Sequence, residues 1–300
     1  MKIKIGTRGS KLALWQANYI ATLIGQEKTE IKIIKTEGDQ IKNVSFNKME
    51  GKGFFTKEIE LALLERKIDL AVHSLKDLPT DSPAELKLAV IPKRESPADI
   101  LIYRAEKAAK NYPLPLKKGA VIGTSSIRRL SQLKNIDSTL KIEPLRGNIN
   151  TRLKKIEDGF FDGIILAEAG LKRLDLNLGS LLKYVFSYDL FLPAPGQGAL
   201  GLQIREEDDQ LYEKIKGLNH LPTEKEAKAE RSFLHNFGGG CHLPLGALAL
   251  YRNNKIFLEG LVISPETGQV FRAKEEGKDP KELGARLAQI LKKQGAKAIL

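Results

Sequence analysis

Across the first two-thirds of this 300-residue chain one local pattern recurs: a short apolar run, a turn rich in Gly, Ser, Thr and Arg, and then a helical rhythm. Strands that alternate with helices can bury both faces only as α/β units on mostly parallel sheets. Residues 2–5 read as a strand. Ser10 then caps a helix whose apolar residues Leu12, Trp15, Tyr19, Ile20, Leu23 and Ile24 recur near every 3.6 positions. Residues 31–34 predict a second strand, 56–66 a helix with Ile59, Leu63 and Leu64 on one side, and 68–72 a third strand. A second set of units runs from about residue 98 to 190, its clearest strands at 120–122, 141–142 and 163–166. The polar stretch 37–52 has no period and reads as a loop of the length that lids often have.

About 85 residues from the end the style changes. Thr223 and Glu226 predict a capping box for a helix reaching about Phe237. Three strands follow, turning at Asn253-Asn254 and at 265–268. Asp279-Pro280 then opens a last helix with Leu283, Leu287, Ile290 and Leu291 inward, and Gly295 ends it. This part reads as an α+β module.

Composition excludes several classes. A single cysteine, Cys241, rules out an internal disulfide framework and a thiolate-rich zinc site. No run approaches the roughly 18–20 apolar residues of a membrane span, and the start Met-Lys-Ile-Lys-Ile-Gly carries no apolar signal core. A reduced, cytoplasmic setting is the expectation. The formal charge of +12 calls for an anionic partner. With only 6% aromatic residues, and arginines at turns rather than in a helical stripe, a nucleic-acid face is disfavoured.

The turns say where that anion binds. Gly6-Thr7-Arg8-Gly9-Ser10, Gly123-Thr124-Ser125-Ser126-Ile127-Arg128-Arg129 and Arg146-Gly147-Asn148 before Thr151-Arg152 each lie between a strand end and a helix start. Free N–H groups and the positive helix end favour an anion there, hydroxyls add neutral donors, and arginine adds a planar fork. Residues 121–155 hold eight basic and two acidic residues, half of the whole excess. Singly these turns are ordinary helix caps; together they describe a site for a small polyanion.

Two further stretches carry chemistry. His73-Ser74-Leu75-Lys76-Asp77-Leu78-Pro79 follows an apolar strand, so its polar groups fall at a strand's carboxyl end. An aspartate among basic groups there can hold N–H donors or a developing cation, whereas on a surface Lys76 and Asp77 would be a weak ion pair. Gly238-Gly239-Gly240 before Cys241 lets the backbone approach a neighbour closely and leaves the sulfur accessible, as a nucleophile or as a covalent attachment point. A Cys–His pair with His235 or His242 has no distinctive spacing. Gly196-Gln197-Gly198-Ala199-Leu200-Gly201 matches a dinucleotide fingerprint in letters only, because it leads into a strand-like stretch and not a helix.

Taken together, residues 71–79, 123–129, Leu145-Arg146-Gly147-Asn148 and 238–241 resemble the porphobilinogen deaminase family, as do Thr7-Arg8-Gly9-Ser10-Lys11-Leu12-Ala13-Leu14-Trp15-Gln16 and Pro195-Gly196-Gln197-Gly198-Ala199. The likeness runs in order along essentially the whole chain, and the rival reading is a two-lobed solute-binding protein of the same general fold. The resemblance implies a transferase of tetrapyrrole synthesis that condenses four porphobilinogen molecules head to tail, with loss of ammonia, and releases hydroxymethylbilane. It implies a dipyrromethane cofactor joined to Cys241 by a thioether, with Asp77 as the catalytic carboxylate. Lys76, Ser74, Thr124, Ser125, Ser126, Arg128 and Arg129 match cofactor-binding positions. Arg8, Ser10, Arg146, Arg152, Lys48, Lys52 and Phe55 match substrate-binding ones, with Asp39 a further implied contact, and no metal is implied. The implied fold is two α/β domains like those of periplasmic binding proteins, with a cleft between them, plus a smaller C-terminal α+β domain. Its expected bounds are 1–94 with 196–214, then 98–190, then 217–300. A monomer without nucleic-acid or membrane partners is expected, with a cleft that widens as the chain grows under a lid at 37–52.

Overall fold

The computed structural model describes residues 2–36, 56–110, 114–239 and 243–296. Cys241, Lys48, Lys52, Phe55, Asp39 and the expected lid lie outside the described residues.

The first sheet contains β1 (Ile3–Thr7), β2 (Thr29–Ile33), β3 (Leu70–Ser74), β4 (Leu86–Val90) and β10 (Leu200–Arg205), in the order β2-β1-β3-β10-β4. The second contains β5 (Asp99–Arg104), β6 (Val121–Gly123), β7 (Lys141–Glu143), β8 (Gly163–Ala167) and β9 (Leu181–Val185), in the order β7-β6-β8-β5-β9. Each defines a lobe. Helices α1 (Lys11–Ile24) and α2 (Lys57–Leu64) belong to the first lobe, and α3 (Ile127–Ile136), α4 (Ile149–Glu157) and α5 (Glu168–Leu174) to the second.

The sheets are less parallel than the alternation predicts. Within the first, β10 runs antiparallel to both β3 and β4. Within the second, β5 runs antiparallel to both β8 and β9. The reason is the path of the chain. It leaves β4 at the carboxyl ends of the parallel strands, crosses to the second lobe and enters β5 from that same edge, so β5 must run the other way; β9 to β10 repeats the move in return. The crossings touch where Glu95 N–H donates to Gly198 O at 3.2 Å. Gly198 has φ +84°, and a Cβ there would strike the Glu95 and Ser96 carbonyls. A glycine that reads as a nucleotide motif is thus explained by backbone crowding at the crossing.

Beyond α6 (Asp209–Ile215), the chain forms α7 (Leu221–His235), the antiparallel sheet β11 (Leu245–Arg252), β12 (Lys255–Ile263) and β13 (Val270–Gly277), and α8 (Pro280–Lys293). Phe233, Leu258, Leu283, Leu287 and Leu291 share its core. Asp279 caps α8 through the Glu282 N–H at 2.8 Å, as the Asp-Pro pair predicts. The capping box does not form. Pro222, with its φ preset for a first helical turn, starts α7 earlier, and His220 is the N-cap, its Nδ1 accepting from Thr223 N–H. Glu226 instead accepts the Tyr251 N–H of β11 at 3.0 Å. In α1 the inward face is Gln16, Ala17, Ile20 and Ala21, while Trp15 and Leu23 are exposed. Among the described residues no helix is long and apolar enough to cross a membrane.

Candidate active site

Those of the predicted site residues that are described lie at the edge where the crossings leave both sheets. From the first lobe come Arg8, just beyond β1, and Ser10, whose Oγ accepts the Ala13 N–H at 3.2 Å and so caps α1. β3 ends at Ser74 and passes into a single 3₁₀ turn, Leu75–Asp77, that presents Lys76 and the exposed Asp77. A cavity of about 90 Å³ opens here, lined by Arg8, Ser10, Gln16, Thr56, His73, Ser74 and Asp77 among others. Ser74 Oγ and the Gln16 amide exchange hydrogen bonds at 2.8 and 3.2 Å, which fixes one wall. Thr56 is buried, yet its Oγ1 has no partner among the described residues, an uncompensated hydroxyl on the cavity wall.

Beneath the cavity, His73 is buried and its Nε2 lies 3.0 Å from Gln203 Oε1, while Gln203 Nε2 donates to Glu60 Oε1 at 2.9 Å. Burial pushes the imidazole down to about 4, with the nearby Arg231 charge adding to the effect and the Gln203 contact opposing it. The ring is therefore neutral at neutral pH, and because Gln203 offers it an oxygen, Nε2 carries the proton.

The second lobe contributes the turn before α3 and the start of α4. Thr124 is buried and its Oγ1 accepts the Ser126 N–H at 3.2 Å. Ser125 Oγ bridges to the next turn, donating to Leu145 O at 2.9 Å and accepting from Leu145 N–H at 3.0 Å. Ser126 is the N-cap residue of α3 and makes no side-chain capping bond. Arg146 is half-buried on that next turn, and Arg152 on α4 donates from Nε to Gly147 O at 2.7 Å.

Arg128 and Arg129 stand differently from the other arginines. Both are buried, and both close on Asp99, the first residue of β5. Arg128 Nη1 donates to Asp99 Oδ2 and to Leu192 O, both at 2.7 Å. Arg129 donates to Asp99 Oδ1 from Nε at 2.9 Å and from Nη2 at 2.7 Å, and to Ile165 O from Nη1 at 3.1 Å. Burial alone would raise the Asp99 carboxyl, but the two guanidinium charges outweigh it and bring it to about 2. Two side chains expected to grip a ligand directly are thus committed first to an internal carboxylate. The group keeps one net positive charge.

That charge is felt across the cleft. Burial lowers the Lys76 ammonium to about 8, with Arg129 and Arg128 of the opposite lobe pushing down and Asp77 and Asp99 pulling up. Arg152 falls to about 10 through burial and the Arg129 charge, against the pull of Asp77. Asp77 of one lobe and Arg152 of the other therefore share one electrostatic environment.

Sequence reasoning missed Asp99, whose only signal is an acid heading the otherwise apolar run Ile100-Leu101-Ile102. It also missed Arg173 of α5, buried at the junction of the lobes, which donates to Gly198 O at 2.7 Å and lies over the Trp15 ring at 5.8 Å. Near the cysteine segment, Gly238 and Gly239 have φ of +95° and +73°. A Cβ on Gly239 would strike Thr80 Oγ1, so the glycines allow this backbone to lie against the stretch that follows Asp77.

Fold and site together define a two-lobed α/β protein whose cleft gathers cations and one exposed carboxylate. Comparison with known proteins narrows this. Residues 3–213 match the family profile described as porphobilinogen deaminase, dipyromethane cofactor binding domain, and residues 225–293 that of the porphobilinogen deaminase C-terminal domain. A porphobilinogen deaminase of Brevibacillus brevis is 42% identical over 304 residues, covering 100% of this chain and 96% of the relative. That of Alkaliphilus metalliredigens is 43% identical, covering 99% and 94%. Among solved structures, an ancestral cationic amino acid solute-binding protein aligns with a TM-score of 0.43 at 12% identity, over 72% of this chain and 87% of that one. The chain belongs to the porphobilinogen deaminase family. It is a transferase of tetrapyrrole biosynthesis, and its cofactor is a dipyrromethane.

Proposed function

We propose that the condensation of porphobilinogen is carried out in this cleft, with Asp77 as the catalytic carboxylate and Cys241 as the attachment point of the cofactor. The observation that carries the reading is the exposed Asp77 carboxylate at the mouth of a cavity it shares with Arg8, Ser10 and Ser74, coupled across the cleft to Arg152.

The residues present fit the cofactor. Its acetate and propionate groups make it a polyanion, and Lys76, Arg146, Arg152 and the net charge left by Arg128, Arg129 and Asp99 supply the countercharge. The Thr56 hydroxyl, without a partner among the described residues, offers a further donor or acceptor. Gly239 packs against Thr80, two residues before Cys241 and three after Asp77, which supports a cofactor rooted near that carboxylate. When bound, the dipyrromethane supplies the pyrrole end on which the chain is extended.

The chain's own groups do the rest. Arg8, Ser10, Arg146 and Arg152, with Lys48, Lys52 and Phe55, hold the carboxylates and ring of the incoming substrate. Ser74, Lys76, Thr124, Ser125 and Ser126 hold those of the cofactor, with Arg128 and Arg129 contributing mainly charge because Asp99 occupies their forks. Loss of ammonia from the aminomethyl group of porphobilinogen leaves a cation delocalised onto the pyrrole nitrogen. Asp77 accepts that N–H and stabilises the positive charge as it develops. His73, neutral and tied to Gln203, does not compete as a cation.

The three parts expected at 1–94 with 196–214, 98–190 and 217–300 are proposed to act as units, which the three separate sheets support. We further propose a cytoplasmic monomer that takes porphobilinogen and the growing oligopyrrole, with no nucleic-acid or membrane partner.

The test is the denatured intact mass of freshly purified protein beside Cys241→Ala. An adduct of two linked pyrrole units on the wild type alone supports the attachment. An unmodified mass that stays unmodified after incubation with porphobilinogen overturns it.

A further inference from the structure

We propose that Arg231 is a positioning residue, and that from the module leading to Cys241 it holds the turn that presents Asp77. The inference deepens the catalytic reading of Asp77 and rests on it.

Asp77 is placed by very little of its own. Its carboxylate takes no hydrogen bond from another described residue, so its position is set by the backbone turn beneath it. That turn is one 3₁₀ revolution, closed by a single long bond from Leu78 N–H to Leu75 O at 3.3 Å, and 3₁₀ geometry is weak in isolation. On the strand side it is anchored by Leu75 N–H donating to Ala199 O at 3.0 Å. The other side is held by Arg231 of α7. Its Nη1 donates to Leu78 O at 2.8 Å, with Leu75 O at 3.5 Å, and its Nη2 donates to Pro79 O at 2.6 Å. The three carbonyls bracket Asp77 on both sides, and a rigid planar fork that holds them fixes the turn's rotation as well as its distance.

The donor is itself rigidly mounted. Ala229 and Phe233, on either side of Arg231 in α7, are fully buried in the third module's core. One turn further on, His235 Nδ1 approaches Asp81 Oδ1 at 3.1 Å, and the helix then runs into Gly238 and Gly239 against Thr80. One helix thus grips the catalytic turn at Arg231 and leads to the segment that carries the cysteine. The turn that carries the carboxylate and Gly239, two residues before Cys241 in the sequence, are both held to the same helix.

The experiment compares purified Arg231→Lys and Arg231→Ala with the wild type for kcat, KM, thermal midpoint and intact mass. A displaced carboxylate lowers kcat by about ten- to a hundredfold, since an ångström of misplacement costs that much. KM stays within about twofold, because the substrate-binding arginines are untouched. The lysine variant restores charge but not the fork, so it stays low, and the dipyrromethane adduct is retained. Millimolar guanidinium raises kcat of the alanine variant without raising its thermal midpoint, a response that a purely structural role does not give. Wild-type kcat in Arg231→Lys overturns the proposal, as does a loss of activity that only follows loss of the adduct. If Arg231→Ala does not fold, Arg231→Lys decides alone. Failure of the underlying reading is separate: Asp77→Asn would then keep its turnover whatever the Arg231 variants do.

Discussion

Replacing Asp99 with asparagine tests how the cleft's charge is held. The carboxylate is fully buried and accepts three hydrogen bonds from two guanidinium groups, so the near-isosteric amide removes the charge that balances them. Removing one partner of a buried ion pair costs about 3–5 kcal/mol, because the remaining charges stay buried. Part of that is visible as pH linkage. The carboxyl lies at about 2 in the folded protein against an ordinary 3.8. At 1.36 kcal/mol per unit, this contributes about 2 kcal/mol. The folded-state value is lowered, so the contribution is fully present above about pH 4 and is lost as pH falls towards 2. Calorimetric unfolding of wild type and Asp99→Asn at pH 7 and pH 3, scored on the transition of the second lobe, measures both effects. The stability gap is expected to be about 3–5 kcal/mol at pH 7 and to narrow by about 1 kcal/mol at pH 3. A gap below about 1 kcal/mol at pH 7 would show that solvent or ligand, and not Asp99, satisfies the two arginines.

Other outcomes follow from the same geometry. Asp77→Asn should retain the fold and the cofactor adduct while losing about a hundredfold or more of turnover, as expected when a group facing a developing charge is neutralised; near-normal turnover removes Asp77 from the mechanism. Lys76, at about 8, is charged below that pH and neutral above it, so kcat/KM should fall as pH rises through about 8. Lys76→Met should flatten that limb, and an unchanged profile refutes the assignment. Glu230 is fully buried and accepts from Arg94 at 2.7 and 3.0 Å, from Gly196 N–H at 2.6 Å and from Ala249 N–H at 2.9 Å, tying both crossings to the third module. Glu230→Gln should therefore cost about 3–5 kcal/mol in urea unfolding, and a midpoint equal to wild type would rule out that strut.

Much of the local structure was legible because its causes lie within a few residues of one another. Ser10 caps α1, Asp279-Pro280 starts α8, and Asn253-Asn254 turns β11 into β12 with φ of +49° and +59°. The reading failed where a neighbour competed. A capping box at Thr223 and Glu226 lost to His220 and Pro222, and Glu226 found the Tyr251 N–H instead. In α1, periodicity counted Trp15 among the apolar residues of the helix, but it is exposed, meets Tyr19 at 5.3 Å and lies under Arg173 of the other lobe.

The alternation of strands and helices, the strand-end turns that collect anion-binding groups, and the family, through motifs that fall in order along the chain, are all readable from the order of amino acids. What each charge faces is settled by the fold in three dimensions. Arg128 and Arg129 sit 29 and 30 residues from Asp99, Arg94 sits 136 from Glu230, and Arg231 sits 152 from Pro79. No pattern along the chain announces such pairs. A buried charge takes whichever opposite charge or carbonyl the fold brings within hydrogen-bond reach, and here the chain's two crossings between the lobes settle which ones those are.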